Sequence, residues 1–192
     1  LKYKKMEPKL VALIAALVAN GTIFEHGYVM DAGANDGRST FLLQQLFKGH
    51  PVIAVDPLQV NIDHIKLKMM ATKANNIQAI QGYLGSAHST IRYSARAERR
   101  VGAQIGRLSL YNKLMKKNLT QSVSVYTVDE ILKDKKLSFA HWDLEGSEFD
   151  MLQGALATIR RDLPVFTVET HSLHDADNHE KVMRAIKSLG YG

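Results

Sequence analysis

The sequence predicts an α/β fold, a mostly parallel sheet with helices on both faces. Three observations carry this. Short apolar runs alternate with stretches of helical periodicity along the chain, the pattern of strand–helix–strand units. The run at 51–56 is apolar at consecutive positions, as a strand buried on both faces requires. The first strand runs directly into a glycine-bracketed turn, Val29-Met-Asp-Ala-Gly-Ala-Asn-Asp-Gly37, which opens a helix.

At 192 residues, 45% hydrophobic and 23% charged, the chain reads as one globular domain over 1–192. Glu7 and Pro8 suit a helix start, and Gly21 suits its stop after the apolar run 10–19. Lys2, Lys4 and Lys5 ahead of that run resemble a secretory leader. A membrane span takes roughly 20 apolar residues, so a packed helix over 1–21 and a cytoplasmic protein are expected. The chain begins at Leu1, not Met, which reads as a piece trimmed from a longer protein.

A strand at 28–31 leads to a helix over 38–47. The strand 51–56 leads to a helix over 58–73, which Asn75-Asn76 breaks before a strand at 77–81. Residues 86–121 show no clean periodicity and read as an insertion. Alternation at 122–126 predicts an extended run, and Thr127-Val-Asp-Glu130 predicts a reciprocal capping box. A strand at 139–143 follows. Phe149, Leu152, Leu156 and Ile159 then fall on one face of a single helix. A strand at 164–169 and a last helix over 178–189, closed by Gly190, complete the pattern.

Ligands of an open parallel sheet lie beyond the carboxyl ends of its strands. Those ends carry Asp31, Asp56, Gln81, Asp143 with Glu145, and Glu169 with His171. The spacing Gly33-x-x-x-Gly37 is not that of a dinucleotide-binding turn, and no lysine follows it to cradle phosphate. A carboxylate at the start of the loop suits a cationic ligand, and S-adenosylmethionine carries an ammonium and a sulfonium. Asp56 follows Asp31 by 25 positions, near the roughly 20-residue offset at which an acid grips ribose hydroxyls. Gly33 is expected to leave room for the ligand, and Asp56 to serve the ligand and contribute little to folding. The chain has no cysteine, which excludes a disulfide framework, a thiolate zinc site and a cysteine nucleophile.

The stretch from Val29 to Gly37 with Thr40 resembles the first motif of the FkbM family of S-adenosylmethionine-dependent methyltransferases. Thr127-Val-Asp-Glu130, then Trp142-Asp-Leu-Glu-Gly-Ser-Glu148 with Leu152 and Gly154, resembles that family's second signature. The resemblance implies a Rossmann-like class I methyltransferase fold. Asp31, Gly33, Asn35, Gly37 and Thr40 would then surround the methionine part of the cofactor, and Asp56 its ribose. Gln81 and Tyr83 would flank the adenine, and Asp143 and Glu145 would face methyl transfer. It also implies a terminal antiparallel hairpin, which would begin where this sequence stops. Asp56 stands where the family more often has Glu, and His141 where Lys is common.

Many members of that family methylate hydroxyls of sugars or secondary metabolites, so O-methylation of a small-molecule or glycan acceptor is the leading expectation. His171 is then the candidate general base. A divalent ion on Asp143, Glu169 and His171 is the alternative use of those groups, and the reading adopted has no metal. His171, His174 and His179 lack a ligand spacing. Between 86 and 121, eight cations stand against the single anion Glu98, while the whole chain carries +6. An anionic acceptor held partly by Arg92, Arg96, Arg99 and Arg100 is therefore expected. A non-catalytic S-adenosylmethionine-binding module is the competing reading. A nucleic-acid methyltransferase is disfavoured, because Asp143-Leu-Glu-Gly stands where its Asp/Asn-Pro-Pro-Tyr/Phe motif would.

Overall fold

Five strands run in parallel. These are β1 (Tyr28–Ala32), β2 (Val52–Asp56), β3 (Ile77–Gln81), β7 (Leu137–Asp143) and β8 (Val165–Glu169) in a computed structural model that describes residues 8–94, 120–172 and 175–191. They form one five-stranded sheet in the order β3-β2-β1-β7-β8. The chain builds outward from β1 through β2 to β3, then returns to lay β7 against the other side of β1. Strand order therefore reverses between β1 and β7, which opens a crevice at their carboxyl ends.

The strands are apolar at consecutive positions because both faces are covered. On one face Val29, Ala54 and Phe139 pack with Leu10 and Ile14 of α1 (Pro8–Ala19) and with Phe41 and Leu43 of α2 (Arg38–Leu46). Ile65 of α3 (Gln59–Thr72) joins them. On the other face the alternate residues Met30, Ile53, Ala140 and Trp142 pack with α4 (Val128–Leu132), α5 (Glu148–Gln153) and α6 (Leu156–Asp162). Period-two alternation thus feeds two cores from one strand. The last helix, α7 (Asn178–Ser188), adds Ala185 and Ile186 to this second face. Tyr191 closes the edge, its ring against Phe166 and its hydroxyl donating to the Pro164 carbonyl at 2.8 Å.

Three expectations from sequence are corrected. The helix expected through Phe149 to Ile159 is two helices, broken at Gly154. A Cβ there would lie 2.1 Å from the Gly85 carbonyl oxygen, so the chain bends where two backbones meet. The non-periodic insertion is in part regular. Its first residues form β5 (Ser89–Ser94), antiparallel to β6 (Thr120–Tyr126), and β6 pairs on its other side with β4 (Tyr83–Leu84). Ser94 pairs with Thr120, so the ends of the basic segment are held together. Arg92 lies on β5, while Arg96, Arg99 and Arg100 lie outside the described residues. The capping box is only half formed. Thr127 Oγ1 accepts from Glu130 N at 2.9 Å, but the Glu130 carboxylate turns to His88 Nδ1 at 3.0 Å. Among the described residues the main sheet ends at β8, with no strand added beyond it.

Candidate active site

The loop between β1 and α2 is held in a shape few residue types adopt. Gly33 and Gly37 have φ of 84° and 79°, and Asn35 has φ of 46°. Asn and Gly tolerate this left-handed region best. Besides any room they leave for a ligand, the glycines serve packing. A Cβ on Gly33 would lie 1.8 Å from the Asp143 carbonyl oxygen, and one on Gly37 would lie 2.8 Å from Ile65 Cγ1. The loop is thereby pressed against the end of β7 on one side and against α3 on the other.

Asp31 and Thr40, expected around the methionine part of the cofactor, take part in internal hydrogen bonds. Both are fully buried, and Asp31 Oδ2 accepts from Ser39 Oγ at 2.8 Å and from Thr40 Oγ1. They brace the first turn of α2 from beneath. Asn35 is the exposed member of the expected set, at the tip of the loop.

Asp56 is 5% exposed and carries three bonds. Its Oδ1 accepts from Leu58 N at 2.8 Å and Asn61 Nδ2 at 2.9 Å, and its Oδ2 from Asn35 N at 2.8 Å. Burial pushes its pKa up, against those three hydrogen bonds. The carboxylate ties the β1–α2 loop to the start of α3, so it is structural whatever else it binds. A carboxylate offers about four lone-pair sites, which leaves one for a ribose hydroxyl. Asp56→Ala is therefore expected to destabilise the fold by about 2–4 kcal/mol, since buried donors lose their acceptor. Urea unfolding checks this, and an unchanged midpoint would remove the structural role. Gln81 donates to the Pro57 carbonyl at 3.2 Å, and Tyr83 lies in β4 beside it.

Beyond β7 the acidic groups gather. Asp143 is in register with Glu169 of β8, and the loop after it carries Glu145 at φ 55° and Gly146 at φ 110°. A non-glycine residue held at positive φ stores strain of order 1–3 kcal/mol, a feature found at functional sites. The Asp143 carboxyl is pushed up to about 6, first by burial and then by the charges of Glu169 and Glu145, with His171 and His141 opposing. Negative charge is thus in excess here.

His171 meets this cluster from the end of β8. Its Nδ1 lies 2.9 Å from Glu148 Oε1 and 3.7 Å from Asp143 Oδ1. Burial lowers the pKa of the imidazole, but the Glu148 bond and the charges of Asp143 and Glu145 outweigh it, so the net shift is upward. Asp143, Glu145 and His171 each offer one ligand atom, all within 4.8 Å of one another, and are close enough to share a divalent cation. Glu145 takes the place expected for Glu169 in such a set. His179 lies apart, with Nδ1 2.8 Å from Thr170 Oγ1, and His174 lies outside the described residues. His141 is buried inside β7, with Nδ1 2.9 Å from Thr167 Oγ1.

The sequence reading assigned no role to two residues of this cluster, Glu148 and Asn178. Glu148 is fully buried and Asn178 is 1% exposed. The acidic motif contains Glu148, but nothing in periodicity separates it from a surface helix acid. Asn178 gives no signal at all, because only folding brings α7 to the motif.

The family model of the methyltransferase FkbM domain matches residues 31–192. The chain belongs to the FkbM methyltransferase family. The excess of carboxylates over cations at the strand ends suits a ligand carrying ammonium and sulfonium charges, as S-adenosylmethionine does. Among solved structures, precorrin-6y C5,15-methyltransferase from Geobacter metallireducens aligns with a TM-score of 0.53 at 12% identity, over 100% of this chain and 76% of that one. Geranyl diphosphate C-methyltransferase from Streptomyces coelicolor aligns with a TM-score of 0.47 at 10% identity, over 94% and 61%. Coclaurine N-methyltransferase aligns with a TM-score of 0.34 at 17% identity, over 43% and 24%. The chain thus spans less than two thirds of two of these structures, and the first establishes a shared methyltransferase fold. A comparison with curated proteins gave no match. No described helix is long and apolar enough to cross a membrane.

Proposed function

We propose that this FkbM-family chain methylates a hydroxyl oxygen on a sugar or other small metabolite that also bears an anionic group. The observation that carries the reading is the pair of Asp143 and His171. Two groups with raised pKa stand 3.7 Å apart, and the Asp143 main chain is packed directly on the glycine loop. Bound at the loop, S-adenosylmethionine would supply an electrophilic methyl group, which would pass to an acceptor oxygen as the sulfur left as a neutral thioether.

The protein's own part is positional and protolytic. The β1–α2 loop and the strand-end carboxylates attract and orient a cation. A hydroxyl is a poor nucleophile until its proton leaves, and a base with pKa near the working pH takes it most efficiently. The Asp143 carboxyl is pushed up to about 6, chiefly by burial, and the Glu148 bond and nearby carboxylates raise the His171 pKa above its ordinary value against burial. Support for the anionic group is the charge of residues 86–121, whose ends the β5–β6 pairing brings together. Turnover of S-adenosylmethionine with paired anionic and neutral hydroxyl acceptors tests the substrate class. Faster turnover of amine or thiol acceptors would sink it.

The pH profile is a second check. The base must be deprotonated, so kcat should rise with pH through an acid limb centred at or above pH 6, where the Asp143–His171 pair loses protons. Asp143→Asn removes an anion that stabilises the imidazolium, so the His171 pKa should fall and the limb should move to lower pH. A limb that stays put or moves upward would exclude His171 as the titrating group.

A further inference from the structure

Glu148 is fully buried, and both of its carboxylate oxygens accept from protein donors. Burial raises its pKa, but the Gly146 N–H, the bond from His171 and the bond from Asn178 together hold it below the ordinary glutamate value. Gly146 N donates to Oε1 at 3.0 Å and Asn178 Nδ2 to Oε2 at 2.6 Å. With N–H donors already on both oxygens, the carboxylate acts as acceptor, and the His171 nitrogen 2.9 Å from Oε1 is the donor. That settles the tautomer. Nδ1 carries the hydrogen, and Nε2 is the nitrogen left to take a proton.

Asn178 completes the arrangement. The same Nδ2 donates to the His171 carbonyl oxygen at 2.8 Å, so one buried amide grips both the carboxylate and the main chain of the histidine. Three segments meet in this way: the acidic motif at α5, the end of β8 and the first residue of α7. From the sequence, the histidine has no fixed orientation. Here its ring is held at one nitrogen and its backbone at another point, the arrangement that orients a catalytic imidazole by a carboxylate on its far nitrogen.

We infer that Glu148, braced by Asn178, is a positioning residue that holds His171 as the Nδ1–H tautomer and presents Nε2 to the acceptor. The inference rests on the reading of His171 as the base. A mere structural staple would join the same segments but would leave the ring's tautomer and the rate of chemistry untouched.

The groups facing His171 are Asp143 from β7, Glu145 from the following loop and Glu148 from α5, with Asn178 from α7. Asp143 at 3.7 Å is beyond hydrogen-bond distance of Nδ1, so it cannot replace Glu148 as partner without movement.

The test has two readings: the tautomer in protein labelled with 15N histidine, which needs no acceptor, and kcat with a hydroxyl acceptor. In the wild type, above the pKa of the ring, the His171 nitrogens should show a protonated Nδ1 and a bare Nε2. Glu148→Ala should shift the ring to the Nε2–H form that free imidazole side chains prefer. It should lower kcat roughly 10–10²-fold, with cofactor affinity by calorimetry within about twofold of wild type. If Glu148→Ala does not fold, Glu148→Asp carries both readings, since it keeps the buried charge but withdraws it from Nδ1 by one methylene. An unchanged tautomer in the folded variant, or an unchanged kcat, would overturn the positioning role. If instead the tautomer shifts as expected while His171→Ala turns over like wild type, Glu148 orients the ring and the base lies elsewhere.

Discussion

Turnover by His171→Ala is expected to fall roughly 10²–10⁴-fold, the contribution of a positioned general base, while S-adenosylmethionine affinity stays near wild type. The size of the effect follows from what the acceptor needs. A hydroxyl at neutral pH is almost wholly protonated, and removing the proton only after attack leaves a high-energy oxonium in the transition state. The Asp143 carboxylate remains in the variant, and its pKa of about 6 makes it a base of last resort. The fall should therefore be larger still in a variant that lacks both groups. Affinity is spared because the bonds of His171 run to Glu148 and away from the glycine loop. The variant's kcat and KM, measured with saturating cofactor, decide the matter. A loss of only a few-fold would leave alignment of the reactants as the main source of rate.

Gly33→Val is expected to destabilise the fold by about 2–5 kcal/mol, out of the roughly 5–15 that a domain of this kind possesses. Two costs add. A branched residue at φ 84° sits in the left-handed region, at about 1–2 kcal/mol. Its Cβ would also stand 1.8 Å from the carbonyl oxygen of Asp143, which belongs to a strand paired on both sides and cannot yield freely. Forced overpacking of that kind costs about 1–3 kcal/mol. Gly49 provides the control, because it has φ of 85° with nothing within 4 Å of its would-be Cβ. Gly49→Val should lose only the strain. The urea midpoints of the two variants separate the explanations. Equal losses would mean that the close approach to β7 contributes nothing.

This second expectation differs from the one that sequence alone supports, and the difference is instructive. A glycine-rich loop after a strand was legible, and so was its place at the carboxyl end of β1. Which neighbour required the glycine was not. Position in the chain tells nothing about the atom 1.8 Å away when that atom lies 110 residues later. The same holds for Asp56 and Thr40. Both residue types suit ligand contact, and both also satisfy protein donors and acceptors, because burying them unpaired would be costly.

The sequence by itself determined the alternation of strands and helices, the parallel sheet, the family and the acidic residues at the strand ends. These are local patterns. A buried strand needs consecutive apolar residues, and a capped helix needs its start and stop signals, so each writes itself into adjacent positions. Only the tertiary structure decided the split of α5 from α6 at Gly154, the β5–β6 pairing, and the company His171 keeps. Glu148, His171 and Asn178 lie on three different elements, and their meeting depends on strand order and helix packing, which no local pattern encodes. A hydrogen bond between Glu148 and His171 requires approach to within about 3 Å. That distance is set by the cores on both faces of the sheet, and it exists only once they have formed.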